Sequence, residues 1–412
     1  MVRQGCIVDF NDTPEEAAYR RKVRDWLQAN GPAKGHFSGL RSDADRLAMA
    51  RDWQRRKFAG GFSCITWAKE LGGQGGSPIQ QVIYNQEEAQ YEIPRGYFDV
   101  TFGMCLPTVL KTADEATKAR FVEPSLHGEK IWCQLFSEPA AGSDLAGLRT
   151  RAIRDGDDWL VSGQKVWTSG AHYSDYGLLL ARTDPAKPKH KGLTMFWIDM
   201  RAPGIEVRPI KQMSGRSGFN EVWFDDLRVP DAQRLGAVDD GWRVSLITLM
   251  NERLSIGAGA GVDFADAIAT ARCVPTAGGQ TLADDNAFRE KLADWYVQSE
   301  GVKLTGFRTL TALSRGETPG PESSISKVVS ANLTQAIAHE MLDIEGEFGI
   351  ITDQALASLA GQYQSQMLSS PGSRVAGGTD EVLRNIIAER VLGMPGDVRV
   401  DKGVPFKDIP TG

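Results

Sequence analysis

The sequence predicts an α+β fold in which helices come first, a block of short strands follows, and helices return. Three observations carry this. Helical spacing of apolar residues runs from Thr13 to Leu126. Near Gly128 the texture changes to short β-branched or aromatic runs separated by Gly, Pro and Asp. From Gly241 the helical spacing resumes and continues to Leu392. A chain of 412 residues, 41% of them hydrophobic, is long enough for two or three packed units with a large core.

The first helix announces itself in Thr13-Pro14-Glu15-Glu16, which combines a capping hydroxyl, Pro at the first helical position and Glu three residues after the cap. It runs through Val23, Trp26 and Leu27 and stops at Gly31-Pro32. Ser42 to Ala59 is a second amphipathic helix, ended by Gly60-Gly61, and helical patterns follow at 79–90, 97–110 and 113–126. In the β block, Trp159 to Trp167 partly alternates, and Leu193–Ile198, Ile205–Ile210 and Glu221–Phe224 are further strands. Short strands at this spacing predict an antiparallel sandwich or barrel, closed at Val229-Pro230. The later helices are expected at Trp242 to about Ala269, Asp284–Ser314, Glu322–Glu347, Asp353–Ser369 and Thr379–Leu392, with Gly393 and Pro395 ending the last. The resulting boundaries are a helical domain at 1–128, a β domain at 129–236, a helical domain at 237–396 and a short polar tail at 397–412.

Forty-seven basic against fifty-three acidic residues leave a net charge of −6, so there is no basic footprint for nucleic acid or an anionic membrane. No apolar run approaches a membrane span; Gly177 to Ala181 is far too short. The acidic N-terminal stretch (Asp9, Asp12, Glu15, Glu16) lacks a signal-peptide layout, and a cytoplasmic location is expected. Five scattered cysteines suggest neither a disulfide framework nor a zinc knuckle. Five histidines lack the spacing of a helical metal pair, so no metal is expected. No G-x-S-x-G elbow is present, and the Gly72–Gly76 cluster does not follow a strand as a dinucleotide fingerprint would.

Three segments hold residues suited to chemistry. In Ser137-Glu138-Pro139-Ala140-Ala141-Gly142-Ser143-Asp144, small residues let backbone amides approach a ligand and two serines add hydroxyls; a polar loop opening the β domain is the plain alternative. In Gly163 to Ala171, Trp167-Thr168-Ser169 sets an aromatic before hydroxyls at a strand end. That suits an isoalloxazine ring, and equally a core tryptophan beside a turn. In Leu249 to Ile256, Glu252 has no basic neighbour three or four residues away, so its carboxylate sits on a largely uncharged face. Desolvated there it would suit a general base near neutrality; a distant arginine partner or solvent exposure is the alternative.

Taken in order, with Gly192–Pro230 and with Gly377-Gly378-Thr379-Asp380-Glu381 opening the last helix, these segments resemble the acyl-CoA dehydrogenase family over about residues 14–396. The resemblance implies an N-terminal helical domain, a middle antiparallel β domain and a C-terminal four-helix bundle, with FAD bound between subunits. It implies α,β-dehydrogenation of an acyl-CoA thioester to the 2-enoyl-CoA: a base takes the α-proton and the β-hydride passes to flavin N5. Carried over by position, Gln134, Phe136, Ser137, Gly142 and Ser143 line the flavin ring and ribityl chain. Trp167 covers the ring, Ser169 contacts the N5 region, and Thr379 and Glu381 meet the cofactor from the last helix. Ser143, Arg253 and the amide of Gly377 serve the substrate side.

The sequence departs from the family at two places. Many members carry the catalytic Glu where Gly377 stands; a smaller branch places it in a Glu-Arg pair on the helix after the β domain, which assigns the base to Glu252. Where relatives place an Arg and a Gln for the ADP half of FAD, this chain has Asp285 and Asp343. A carboxylate beside a pyrophosphate is unfavourable by about 4 kcal/mol per charge pair at ~4 Å and an effective dielectric near 20. A paralogous partner subunit supplying those contacts would resolve this. The expected assembly is therefore a homo-oligomer (dimer or tetramer) or a heterotetramer, with an electron-transfer flavoprotein as acceptor. The alternatives are an oxidase or flavin monooxygenase on the same scaffold, or a non-catalytic subunit. The relocated base leans toward branched, long or ring-bearing acyl groups, and fatty-acid or steroid side-chain catabolism.

Overall fold

The computed structural model describes residues 12–32, 42–256, 262–276, 278–314, 320–321, 323–351, 353, 355–396, 398 and 400–410, with the side chains of 252–256, 310–314 and 323 outside that description. Among the described residues five α-helices come first: α1 (Pro14–Asn30), α2 (Asp43–Ala59), α3 (Pro78–Glu88), α4 (Leu106–Thr112) and α5 (Glu115–Leu126). Eight strands follow: β1 (Trp132–Leu135), β2 (Arg151–Asp155), β3 (Asp158–Ser169), β4 (Tyr176–Arg182), β5 (Leu193–Asp199), β6 (Ile205–Ile210), β7 (Phe219–Pro230) and β8 (Arg234–Leu235). Then come α6 (Gly241–Ile256), α7 (Phe264–Ala271), α8 (Asn286–Ser314), α9 (Ser323–Glu345), α10 (Gln362–Val375) and α11 (Asp380–Ile386). Among the described residues no helix is long and apolar enough to cross a membrane.

The chain divides into two compact units, residues 1–98 with 115–131, and 99–114 with 132–412. In the first, the capping box forms as the sequence predicts: Thr13 Oγ1 accepts from the Glu16 amide, and Glu16 accepts from the Thr13 amide. Ser77 and Gln80 form the same box at α3, whereas Ser42 caps α2 by accepting from the Asp45 amide alone. Their apolar stripes converge on Val23, Leu27, Trp53, Phe62, Ile65 and Tyr84. Buried Glu88 is satisfied there by Tyr84 Oη at 2.9 Å and Trp53 Nε1 at 3.2 Å.

The second unit holds one eight-stranded sheet in the order β6-β7-β3-β2-β4-β5-β8, with β1 beside β4. Most neighbours are antiparallel as expected, whereas β1 and β2 both run parallel to β4. β4 is buried along its whole length, which is why its apolar run shows no alternation. The sheet core gathers Leu135, Trp159, Val161, Leu179, Phe196, Val222 and Phe224. The helical core gathers Phe288, Trp295, Ile337, Met341 and Tyr363.

Three boundaries differ from the sequence expectation. The helix expected to reach Ala269 is two: α6 is described to Ile256, and α7 starts afresh after Asp263, whose carboxylate caps it through the amides of Ala265 and Asp266. The helix expected from Asp353 starts at Gln362, after Gly361 at φ 78°, and passes through Pro371. Residues 401–409, expected as a polar tail, dock on the loop after β4: the Phe406 amide donates to Lys187 O and the Lys407 amide to Pro185 O, both at 2.9 Å.

Candidate active site

The first set of site residues is built where β1 ends. Gln134, on β1 opposite Leu178, is half-buried, and its Oε1 is enclosed without a hydrogen-bond partner. The next residues leave the strand along a fixed path. Phe136 is buried and its carbonyl accepts from Lys165 Nζ at 2.9 Å; the Ser137 carbonyl accepts from the Val166 amide at 2.9 Å. Glu138 and Ala141 exchange two backbone hydrogen bonds at 3.0 Å, closing a tight turn over Pro139-Ala140. Gly142 and Ser143 are exposed at its far side, and a Cβ on Gly142 would meet nothing within 4 Å.

A buried ion pair holds this loop. Lys165, with no exposed surface, donates to Glu138 Oε1 at 2.8 Å. Glu138 also accepts from the amides of Arg149 (2.6 Å) and Thr150 (2.9 Å). Burial alone would raise the Glu138 carboxyl; the Lys165 ammonium and these donors outweigh it and hold it below the ordinary carboxylate range.

β3 supplies the aromatic. Its register against β7 shifts between Lys165, opposite Val222, and Thr168, opposite Asn220, so Val166 and Trp167 together face one residue. This bulge puts Trp167 at φ 60°, a left-handed conformation costly for a bulky residue, and leaves the residue 59% exposed with its ring perpendicular to that of Phe219. Asn220 steadies the bulge by donating to Thr168 O at 2.9 Å, and its Oδ1 lies 3.1 Å from His172 Nδ1. Ser169, the last residue of β3, is exposed. Thr168, between them, reads in the sequence only as one of the hydroxyls after Trp167, with no role of its own. It is buried and its hydroxyl has no partner, an arrangement that a ligand donor or acceptor would relieve. Only the change of phase in the burial of β3 marks it, and that needs the partner strand.

The second set lies at the start of α11. Gly377 (φ 66°) and Gly378 (φ 99°) form a left-handed turn that other residues rarely adopt, and Thr379 Oγ1 caps the helix by accepting from the Val382 amide. Lys327 of α9 donates to Gly378 O at 2.7 Å. Buried Asp380 accepts from Arg374 Nε at 2.8 Å and Asn332 Nδ2 at 3.0 Å. Glu381 is exposed on the first turn, its carboxyl held below the ordinary range by a backbone amide and the Thr379 hydroxyl. α6 packs on β4, β5, α4 and α9. Thr248 of α6, buried, shares a 2.8 Å hydrogen bond with Thr108 of α4. Glu252 and Arg253 fall on the last turns of this helix, and their side chains lie outside the described residues.

Asp285 is committed elsewhere: its Oδ1 caps α8 through the Phe288 amide at 2.8 Å. Asp343 is exposed on α9. A planar, partly polar ring system fits the first set by its own chemistry. It would find an exposed indole face, an open glycine, serine hydroxyls, and two enclosed oxygen atoms lacking partners (Gln134 Oε1, Thr168 Oγ1). Among the described residues no group of His, Cys, Asp and Glu is arranged to hold a metal ion.

Comparison with known proteins matches this layout. Family models described as acyl-CoA dehydrogenase N-terminal, middle and C-terminal domains match residues 13–129, 133–227 and 239–392. Acyl-CoA dehydrogenase FadE34 of Mycobacterium tuberculosis is 38% identical over 78% of this chain, which spans 43% of that relative's length. Acyl-CoA dehydrogenase IpdE1 of the same organism is 33% identical over 92% of this chain and 98% of its own. Among solved structures, the ChsE4-ChsE5 complex from Mycobacterium tuberculosis superposes with a TM-score of 0.77 at 27% identity, over 95% of this chain and 100% of that one. A structure described as the Tcur3481-Tcur3483 steroid ACAD gives 0.78 at 27% identity with the same coverage. With all three domain models in register along the chain and a relative matched nearly end to end, this protein belongs to the acyl-CoA dehydrogenase family of flavin-dependent oxidoreductases.

Proposed function

We propose that the protein carries out FAD-dependent α,β-dehydrogenation of an acyl-CoA thioester, giving the 2-enoyl-CoA, with Glu252 as the base. Bound FAD would supply the acceptor for the hydride leaving the β-carbon. The chain's own residues have four tasks. Gln134, Phe136, Ser137, Gly142, Ser143, Trp167 and Ser169 hold the flavin ring and ribityl chain, with Thr168 added to that set. Thr379 and Glu381 meet the cofactor from α11. The Gly377 amide, in its left-handed turn, donates to the thioester carbonyl oxygen as negative charge develops there; losing such a donor costs about 3–4 kcal/mol in related oxyanion sites. Glu252 takes the α-proton, and Ser143 and Arg253 orient the substrate. The observation carrying this reading is the β3 bulge, which turns Trp167 outward beside a buried hydroxyl that has no partner.

Glycine at 377 carries no side chain, leaving room near the thioester end for a bulky acyl group. A structure described as a steroid ACAD among the relatives supports the same lean, toward acyl-CoAs with steroid side chains. The solved two-component complex supports assembly with a paralogous subunit, and the engagement of Asp285 as a helix cap agrees with ADP contacts coming from another chain. An electron-transfer flavoprotein is the proposed physiological acceptor.

The test is to express the chain alone and with paralogous acyl-CoA dehydrogenase subunits, weigh each native complex and count flavin per chain. Each is then supplied anaerobically with straight-chain, branched and steroid-side-chain acyl-CoAs and a redox dye. Enoyl-CoA formed fastest from the ring-bearing substrates is the expected result. No bound flavin and no product in any combination would refute the reading.

A further inference from the structure

The C-terminal segment does more than trail from the last helix. Residues 401–409 lie along the loop after β4, joined by the two backbone hydrogen bonds from Phe406 and Lys407 and an antiparallel bridge between Pro188 and Pro405. Two side chains of that loop region reach the segment and also the ligand loop. Arg182, buried, donates to Ala146 O (2.6 Å) and Leu148 O (3.1 Å), the turn following Ser143-Asp144. The Phe406 ring covers its guanidinium at 3.6 Å from the ring centroid. Lys189 is shared between Asp144 of the ligand loop (2.8 Å) and Asp401 of the segment (2.5 Å). A guanidinium sealed by an aromatic face and an ammonium fixed between two carboxylates lose their alternative positions; what they hold is fixed with them.

We infer that the segment Asp401–Ile409 is a positioning strap: through Phe406 on Arg182 and Asp401 on Lys189 it fixes the loop 137–148, and so sets how tightly that loop grips flavin and acyl-CoA. The effect on ligands rests on the function proposed above; the effect on the loop does not. Phe406, Asp401, Arg182 and Lys189 act through the loop as positioning residues. Burial pushes the Arg182 guanidinium down to about 10, still protonated at neutral pH, so the ring faces a cation throughout the working range.

The strap is tested in the full-length chain with Phe406→Ala, the ring-preserving Phe406→Tyr, Asp401→Asn, and Lys407→Ala as an exposed control. Amide hydrogen exchange is followed without added ligand across residues 140–150, beside flavin affinity and the split between kcat and KM. Phe406→Ala is expected to speed exchange of the Gly147 and Leu148 amides by about tenfold or more, with flavin and acyl-CoA bound at least about fivefold more weakly. Its kcat should stay within about twofold of the parent, since the reacting groups are untouched. Asp401→Asn should show a smaller change in the same direction, Phe406→Tyr should restore parental values, and Lys407→Ala should match the parent. If Phe406→Ala frees the segment yet leaves exchange at 140–150 unchanged, the strap is overturned. If the parent chain takes up no flavin, the proposed function falls while the exchange result still decides the strap.

Discussion

Glu138 and Lys165 stand 27 residues apart in sequence and form the ion pair on which the ligand loop rests. Removing one partner strands the other charge in a low-dielectric interior, so Glu138→Gln should destabilise the second unit by about 3–5 kcal/mol. The pH dependence has a definite sign. The folded carboxyl lies below its ordinary value of 4.5, so the unfolded chain binds the proton first as pH falls. The pair's contribution is thus fully present above about 4.5 and lost as pH drops through the folded value. Urea unfolding at several pH values should show this acid limb in the parent and a flatter one in Glu138→Gln. Nothing local marked this pair in the sequence, where Glu138 reads as a loop residue. Trp167 was legible as an aromatic beside hydroxyls. Its outward turn was not, because a bulge is a relation between two strands.

At the scale of elements, legibility followed how local the determinants are. α1 could be read to the residue because its capping box and terminating Gly31 lie within or beside it. β4 could not, since burial on both faces removes the alternation that identifies a strand. Asp263-x-x-Asp266 is a start signal that separates α7 from α6, and apolar spacing running across it masks it. Thr150, the residue before β2, approaches β3 so closely at Gly163 that a Cβ there would lie 2.6 Å from Thr150 Oγ1 and 2.7 Å from Thr150 Cα. Gly163 also has φ 150°, so Gly163→Ala faces both strain and overlap with backbone that cannot swing aside. A loss of about 2–4 kcal/mol is expected, read as a lower urea midpoint with an unchanged slope. A midpoint equal to the parent's would show that the backbone at Thr150 yields without cost.

For the whole molecule, the order of helical, strand-rich and helical segments was readable because each block keeps one periodicity over many residues. The strap was not, since Phe406 finds its cation on β4, far back in the chain. The helix carrying Glu252 was likewise legible as a helix, whereas its packing against α4, β5 and α9 was not. The most direct measurement is anaerobic stopped-flow mixing of the flavin-loaded protein with an acyl-CoA it turns over, following oxidised-flavin absorbance in the parent and in Glu252→Gln. The expected result is rapid bleaching in the parent, and in Glu252→Gln full flavin content with bleaching roughly 10²–10⁴-fold slower. Bleaching of Glu252→Gln at the parental rate would contradict the assignment of the base and the chemistry built on it.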